Sequence, residues 1–383
     1  MSVTAPRGFR AAGVAAGLKS SGDPDVALVV NDGPDDAAAA VFTTNRFPAA
    51  PVLWSKQVLA GGRVRAVVLN SGGANACTGP EGFGDTHATA EHTAAALGLG
   101  AVDVAVASTG LIGVRLPLDQ LTAGVTAAAG QLSADGGPAA ARAIMTTDSL
   151  PKTTVQVGEG WTVGGMAKGA GMLAPSLATM LVVLTTDAVV PAELLEPALR
   201  HATAHSFERV DSDGCLSTND TVVVLANGAS GVTPSAEQLG AALDAACLDL
   251  AMQLLADAEG STKDIAITVR GAASVQDALT AGRACARNNL LKTALFGNDP
   301  NWGRVLAAIG TTDAAFEAAQ VDVTINGVTV CRGGAIGDDR DGVDLTGRAI
   351  NIDVDLAAGT DQATIWTNDL SIAYVHENSA YST

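Results

Sequence analysis

Aromatic residues are scarce in this chain. They make up 3% of its 383 residues, whereas apolar residues reach 48% and charged residues 16%. A chain of this length can bury an ample core, and Ala, Gly and Val dominate its composition, which predicts tightly packed layers of small side chains. Strand-like and helix-like patterns alternate along the sequence, so we expect an α/β or α+β protein.

Basic residues are also in short supply. The chain has 22 Lys and Arg against 40 Asp and Glu, and its formal net charge is −18. No basic patch is evident that could neutralise phosphates, so the composition argues against a nucleic-acid partner and disfavours an anionic membrane surface. An anionic substrate would need local cations to oppose the overall negative field.

Cysteines are few and widely separated. Because their number is odd and no CxxC pair occurs, we expect neither a disulfide framework nor a zinc site, and the pattern favours the reducing cytoplasm. The first residues lack an apolar segment of signal-peptide length, and no stretch reads as long enough to span a bilayer. We therefore predict a soluble, cytoplasmic protein that holds no metal. The cysteines are Cys77, Cys215, Cys247, Cys285 and Cys331.

The most informative stretch lies near the middle of the chain. Residues 168–178 are rich in Gly, Ala and Pro, and Thr179 then opens the apolar run 180–184, which is typical of a buried strand. A threonine hydroxyl can attack the carbonyl of the preceding residue, and hydrolysis of that ester would leave Thr179 as a new N-terminus with its amine beside its own hydroxyl. The alternative interpretation is structural: Thr179 simply starts a strand, and the glycines make a turn.

Two motifs in this region resemble a known family. Gly-Gly-Met-Ala-Lys-Gly-Ala-Gly-Met at 164–172 and Pro-Ser-Leu-Ala-Thr-Met-Leu at 175–181 are similar to the self-cleaving junction of the ornithine acetyltransferases, also called glutamate N-acetyltransferases, of arginine biosynthesis. By this resemblance the bond between Ala178 and Thr179 breaks, giving chains 1–178 and 179–383. Two departures, Ala170 for a common serine and Ser176-Leu177 for a common Asn-Met, remove no proposed chemical group.

A second motif, Ser108-Thr109-Gly110, follows the strand-like run 102–107. A glycine N–H after a strand and a threonine hydroxyl can both donate to a developing oxyanion. Read without the family, these residues form a plain strand-to-helix turn. The motif resembles the family's oxyanion hole, which places that role on Thr109 and Gly110.

The resemblance also implies a set of substrate contacts. Lys168 would meet a substrate carboxylate and supply the local cation that the net charge lacks. Glu259 would contact an amine; it stands before a glycine at a predicted helix end, where the helix dipole disfavours a negative charge. The polar tail 374–383 resembles one that folds into the family's active site. The implied contacts are Thr146 (or its neighbour Thr147), Lys168, Thr179, Glu259, Asn378 and Thr383.

The fold implied by the resemblance is a layered α-β-β-α sandwich with two central sheets. It is of the self-processing ornithine acetyltransferase and DmpA type, and is similar to N-terminal-nucleophile hydrolases in outline but not in connectivity. The two cleaved chains would stay intertwined and pair into a heterotetramer of two α and two β chains. From the residue patterns we predict strands over 26–30, 37–44, 64–69, 102–107, 180–184, 221–225, 321–330, 351–356 and 363–367, helices over 85–97, 118–132, 138–145, 191–207, 235–257 and 275–290, and a polar loop over 292–304.

The activity implied by the resemblance is transfer of acetyl from N-acetylornithine to glutamate through an acetyl-Thr179 ester. No metal or organic cofactor is required, and acetyl-CoA is possible as a further substrate that these residues do not decide. A self-processing N-terminal-nucleophile aminopeptidase or amidase is the first alternative, although such relatives usually present serine. A non-enzymatic binding protein with a Gly-rich loop is the second, and it predicts an unbroken chain.

Overall fold

The computed structural model of the chain describes residues 2–171 and 180–380. Its strands are β1 (Phe9–Val14), β2 (Val26–Asn31), β3 (Ala37–Phe42), β4 (Ala66–Asn70), β5 (Val104–Ser108), β6 (Lys152–Val157), β7 (Thr162–Lys168), β8 (Leu181–Thr186), β9 (Thr221–Ala226), β10 (Asp264–Ala272), β11 (Asp322–Ile325), β12 (Val328–Arg332), β13 (Ala335–Ile336), β14 (Ala349–Asp355) and β15 (Asp361–Asn368). Its helices are α1 (Ala50–Leu59), α2 (Gly79–Leu97), α3 (Leu118–Gly130), α4 (Gly137–Ala143), α5 (Ala192–Ala204), α6 (Ala236–Ala256), α7 (Val275–Ala286), α8 (Asn289–Phe296), α9 (Trp302–Ile309) and α10 (Ile372–Ala380).

Two sheets pack face to face because their strands alternate between two buried surfaces. The first sheet has the order β1-β2-β4-β5, and the second, central sheet has the order β3-β9-β8-β7-β6. Along β8, Leu181 and Val183 pack against the first sheet, whereas Val182 and Leu184 pack against α5 and α6. The outer face of the first sheet is covered by α2 and α3. These layers are the predicted α-β-β-α sandwich, since strands buried on both faces read as continuous apolar runs.

The central sheet takes strands from both sides of the predicted cleavage point. β3, β6 and β7 precede it, and β8 and β9 follow it. β7 and β8 are antiparallel neighbours, with Lys168 paired to Leu181 at the end of the ladder. β8 and β9 are parallel, with Leu181 paired to Thr221. The chain therefore leaves and re-enters the same sheet around residues 169–180.

The last part of the chain forms a third sheet that the resemblance did not lead us to expect. Its order is β13-β12-β11-β14-β10-β15, and α7, α8 and α9 complete its separate apolar core. The predicted single strand over 321–330 is wrong, because Asn326 and Gly327 adopt φ of 44° and 86° and divide it into the hairpin β11–β12. The predicted loop over 292–304 is wrong as well, because its ends belong to α8 and α9.

Helix α6 corrects the expectation about membrane spans. Among the described residues it is the one helix long and apolar enough to cross a bilayer, with 21 residues and a mean hydropathy of 1.5. Its Leu239, Leu243, Leu250 and Leu254 are buried in the core against the central sheet. The length and composition of α6 thus fit a membrane span, but in the structure α6 is a core helix.

Candidate active site

The turn that follows β5 is held against the loop that follows β4. Thr109 N–H donates to Asn70 O at 3.0 Å, and Gly73 N–H donates to Thr109 O at 3.0 Å. Gly110 has φ of 128°, and a Cβ placed on it would lie 2.8 Å from Gly73 N. Only glycine fits this close approach of two backbones, because an L side chain at this φ would be strained and would collide. The loop after β4 therefore helps to fix the conformation of this turn, together with the glycine in the turn itself.

Lys168 and Thr109 meet at this turn. Lys168 is the last residue of β7 and is 2% exposed, and its Nζ donates to Thr109 Oγ1 at 3.3 Å. Burial lowers the pKa of Lys168, and Lys152 lowers it further, whereas Asp148, Asp220 and Glu259 act in the opposite direction. The structure thus joins a predicted cation to a predicted oxyanion donor that lies 59 residues away in sequence.

Asp148 organises the segments around Lys168, and sequence analysis missed it. Its carboxylate accepts hydrogen bonds from Gly169 N–H at 2.6 Å, from Lys152 Nζ at 2.6 Å and from Thr146 N–H at 2.9 Å. Burial would raise the pKa of Asp148, but Lys168, Lys152 and the Gly169 N–H outweigh it and lower the pKa. Thr146 is held through its backbone N–H, and the residue is exposed. The only sequence signal was the acidic residue in Thr-Thr-Asp-Ser.

Glu259 lies on the other side of Lys168. It is 7% exposed, and its N–H donates to Ala170 O at 2.9 Å. A Cβ on Gly171 would stand 2.7 Å from Glu259 Oε2, so the carboxylate lies directly against the segment that follows Lys168. The structure therefore brings Glu259 to the same place as Lys168 and Thr109.

The C-terminal helix approaches the site through its first turn. Ser371 Oγ donates to Gly260 O, next to Glu259, and Tyr374 N–H donates back to Ser371 Oγ at 2.9 Å. Asn378 stands one turn further along α10, where it is exposed and its amide donates to Tyr374 O at 3.0 Å. Ala178, Thr179 and Thr383 lie outside the described residues.

The described residues show no metal centre. Within 2–171 and 180–380, no group of three or more His, Cys, Asp or Glu side chains is arranged to hold a metal ion. His201 and His205 stack on one another with ring centroids 4.2 Å apart, and His201 faces Asp244 at 3.6 Å. These two histidines, four residues apart in sequence, therefore contact each other at the protein surface.

The sequence model of the ArgJ family matches residues 10–383. The chain belongs to the ArgJ family. The arginine biosynthesis bifunctional protein ArgJ of Streptomyces avermitilis is 65% identical over 382 residues, which are 100% of both chains. The ArgJ protein of Thermobifida fusca is 63% identical over 383 residues, again 100% of both. A solved ornithine acetyltransferase from Mycobacterium tuberculosis, complexed with ornithine, is 61% identical, and the match covers 47% of this chain and 96% of that chain with a TM-score of 0.45.

Membership in the ArgJ family confirms the resemblance of the central motifs and makes the chain an acyltransferase of arginine biosynthesis. The loop before β9 makes contacts that sequence analysis did not predict. In the segment before β9, Asn219 Nδ2 donates to Ala74 O at 2.6 Å and to Ser108 O at 2.8 Å, and Asp220 Oδ1 accepts from Met180 N–H at 2.9 Å. The loop thereby ties the start of β8 to the turn that carries Thr109.

Proposed function

We propose that this chain moves the acetyl group of N-acetylornithine to glutamate through an ester on Thr179, after it has cleaved itself between Ala178 and Thr179. The contact that carries the proposal is Lys168 Nζ to Thr109 Oγ1 at 3.3 Å. Lys168 is also the ladder partner of Leu181, two residues after Thr179. The candidate nucleophile therefore stands, in sequence, just before a strand whose neighbour β7 ends at the lysine that contacts the candidate oxyanion donor.

The first half-reaction forms the ester. The Thr179 hydroxyl attacks the acetyl carbonyl of N-acetylornithine, and its proton passes to the Thr179 α-amine, a base with a reference pKa of about 7.7–8.0. The tetrahedral oxyanion is stabilised by Gly110 N–H and the Thr109 hydroxyl. Collapse breaks the amide C–N bond, and the leaving ornithine nitrogen takes up that proton.

The second half-reaction returns the enzyme to its starting state. The glutamate amine attacks the acetyl-Thr179 carbonyl, loses a proton to the α-amine and becomes N-acetylglutamate, while the Thr179 oxygen leaves and is reprotonated. The acetyl group is carried by the protein, so the scheme needs no metal or organic cofactor. The word bifunctional in the relatives' names supports acetyl-CoA as a second acetyl donor.

Lys168 orients the oxyanion hole in this scheme. Since its Nζ donates to Thr109 Oγ1, the threonine oxygen is occupied as an acceptor and its own proton is free to point at the oxyanion. An ammonium has three donors, so Lys168 keeps others for a substrate carboxylate. Glu259 would receive a substrate amine and Thr146 would contact the substrate, with Asn378 and Thr383 orienting its amino-acid portion.

The proposed chains 1–178 and 179–383 would remain together. The ladder between β7 and β8 runs from Val163–Thr186 to Lys168–Leu181, and β3 pairs with β9 across the same boundary. We propose that the two chains stay intertwined, that two copies of each form a heterotetramer, and that the enzyme works in the cytoplasm.

Denaturing electrophoresis with mass spectrometry tests the cleavage. Purified protein should give the fragments 1–178 and 179–383, and Thr179→Ala should give one intact chain without acetyl transfer. Ser176→Ala removes a hydroxyl from the same segment and should cleave normally. An intact chain that transfers acetyl would refute the proposal, and N-acetylornithine hydrolysis as fast as transfer to glutamate would favour the amidase alternative.

A further inference from the structure

The parallel ladder of β8 and β9 ends in an unusual contact between a side chain and a backbone amide. The residue before β8 is Met180 and the residue before β9 is Asp220, and the Met180 N–H donates to Asp220 Oδ1 at 2.9 Å. In return, Thr221 N–H donates to Met180 O at 3.2 Å. Met180 N is bonded to the carbonyl carbon of residue 179, so Asp220 is fixed beside the residue proposed as nucleophile.

A single backbone amide does not require a buried carboxylate. Asp220 is 0% exposed, and its Oδ2 makes no hydrogen bond of normal geometry with the residues the structure describes. Leaving a buried acceptor unpaired destabilises the folded state, and a neutral side chain could hold the same N–H without that cost. Such a group calls for an explanation, because nearly all buried polar atoms in folded proteins have a hydrogen-bond partner.

Asp187 provides a direct comparison at the opposite end of β8. It is 1% exposed and follows Thr186, and both of its oxygens are used: Oδ1 accepts from Thr162 N–H at 2.7 Å and Oδ2 accepts from Arg7 N–H at 3.2 Å. Both oxygens of Asp187 therefore have backbone partners, and Oδ2 also lies 3.5 Å from Arg7 Nε. Asp220 differs because its Oδ2 has no hydrogen bond of normal geometry among the described residues.

The charges around Asp220 fit a cationic partner. Lys168 faces it from the end of β7, and the Ser217 hydroxyl approaches it from its own loop. Lys168 is itself faced by Asp148, Lys152 and Glu259. Burial raises the pKa of Asp220 well above its ordinary value, although the Met180 N–H, Lys168 and Ser217 oppose this. A cation formed next to Oδ2 would offset the cost of burying the carboxylate.

We propose that Asp220 is a positioning residue for the amino group that cleavage creates on Thr179, with Oδ1 holding the Met180 N–H and Oδ2 accepting a hydrogen bond from the new amine. This rests on the proposed function, because the amine exists only after cleavage. The carboxylate stabilises the ammonium form and aims the amine at the adjacent hydroxyl. It touches neither substrate nor the reacting carbonyl, so its effect on catalysis passes through the amine.

Asp220→Asn tests the assignment, because the amide oxygen can still accept from Met180 while the amide nitrogen cannot accept from an amine. Removing the negative charge should lower the pKa of the Thr179 amine, since an opposite charge nearby favours the charged form by about one unit or more. The acid limb of kcat/KM against pH, which reports loss of the amine's proton, should therefore move to lower pH by about one unit, and its plateau should fall at least tenfold. Asp187→Asn is the matched control and should keep the wild-type limb.

The outcomes separate this inference from the function on which it rests. An uncleaved wild-type chain refutes the function, whereas a cleaved wild type with an Asp220→Asn variant that keeps the wild-type limb refutes only the role of Asp220. Asp220→Glu retains the charge, so the acid limb of its kcat/KM profile should stay at the wild-type pH even if the plateau falls. A shift of that limb in Asp220→Glu would contradict the proposal. If neither variant folds, the amine can be titrated in the wild type by its rate of acylation, and a pKa at or below that of the other chain's N-terminus would overturn the proposal.

Discussion

Gly110→Ala is the sharpest test of the oxyanion hole. At φ of 128° an alanine is strained, and its Cβ would stand 2.8 Å from Gly73 N and 3.0 Å from Gly73 Cα. Both are backbone atoms, so the turn must move, and the Gly110 N–H moves with it. Strained backbone of this kind costs about 1–3 kcal/mol, and loss of one oxyanion donor lowers kcat by about 100- to 1,000-fold. We expect that loss in kcat for acetyl transfer, with a smaller change in KM.

Gly113→Ala is the matched control for this prediction. Gly113 lies three residues further along the same loop, with φ of 80°, and no atom of the described residues stands within 4 Å of its added Cβ. It carries the backbone strain without the collision, so it should lower the melting temperature while kcat stays within about threefold of wild type. The reasoning is refuted if Gly110→Ala also stays within that range in a steady-state assay.

Two further variants test the buried lysines. Lys168→Met removes the donor to Thr109 Oγ1 and should lower kcat about 10- to 100-fold. Lys152→Met breaks ion pairs of 2.6 Å with Asp148 and Asp257. Compared with Lys168→Met, it should lower the melting temperature more and kcat less. A larger kcat loss in Lys152→Met would contradict the assignment. Burial lowers the pKa of Lys292 from 10.5 to about 8, so the unfolded chain binds more protons between these values and stability should rise with pH from about 8 to 10.5. Urea unfolding should show a rise of up to about 3 kcal/mol that Lys292→Met lacks, and the same rise in the variant would show that another group is responsible.

The strand runs of the sandwich could be predicted because they are buried on both faces. β8 and β9 each consist of six buried residues, so their apolar runs stand out from the surrounding sequence. The hairpin β11–β12 was missed although Asn326-Gly327 is a strong turn signal, because the apolar residues continue on both sides of it. The supposed loop over 292–304 contains the second part of α8 and the start of α9. Asn288 and Asn301 cap these helices by accepting from Leu291 N–H and Arg304 N–H.

Some of the candidate site residues could be predicted from sequence motifs, and others could be recognised only from their contacts in the fold. Thr109, Gly110, Lys168 and Glu259 were predicted from family motifs, and the structure brings these four residues together. Asp148 and Asp220 were not found, because their roles depend on partners that the chain folds back to meet: Asp148 accepts from Gly169 and Asp220 from Met180. Local spacing carries no sign of a contact across 21 or 40 residues.

A chain with a large negative net charge can bury two lysines because carboxylates lie next to them. The net charge is −18, yet Lys152 and Lys168 are each 2% exposed and sit beside Asp148, Asp257 and Glu259 at the end of β7. These pairs are shielded from water, so they interact more strongly than surface charges and salt screens them less. The proposed cut after residue 178 would leave the β7–β8 ladder unbroken, because the last pair of that ladder is Lys168–Leu181. The proposed cleavage is therefore compatible with an intact central sheet.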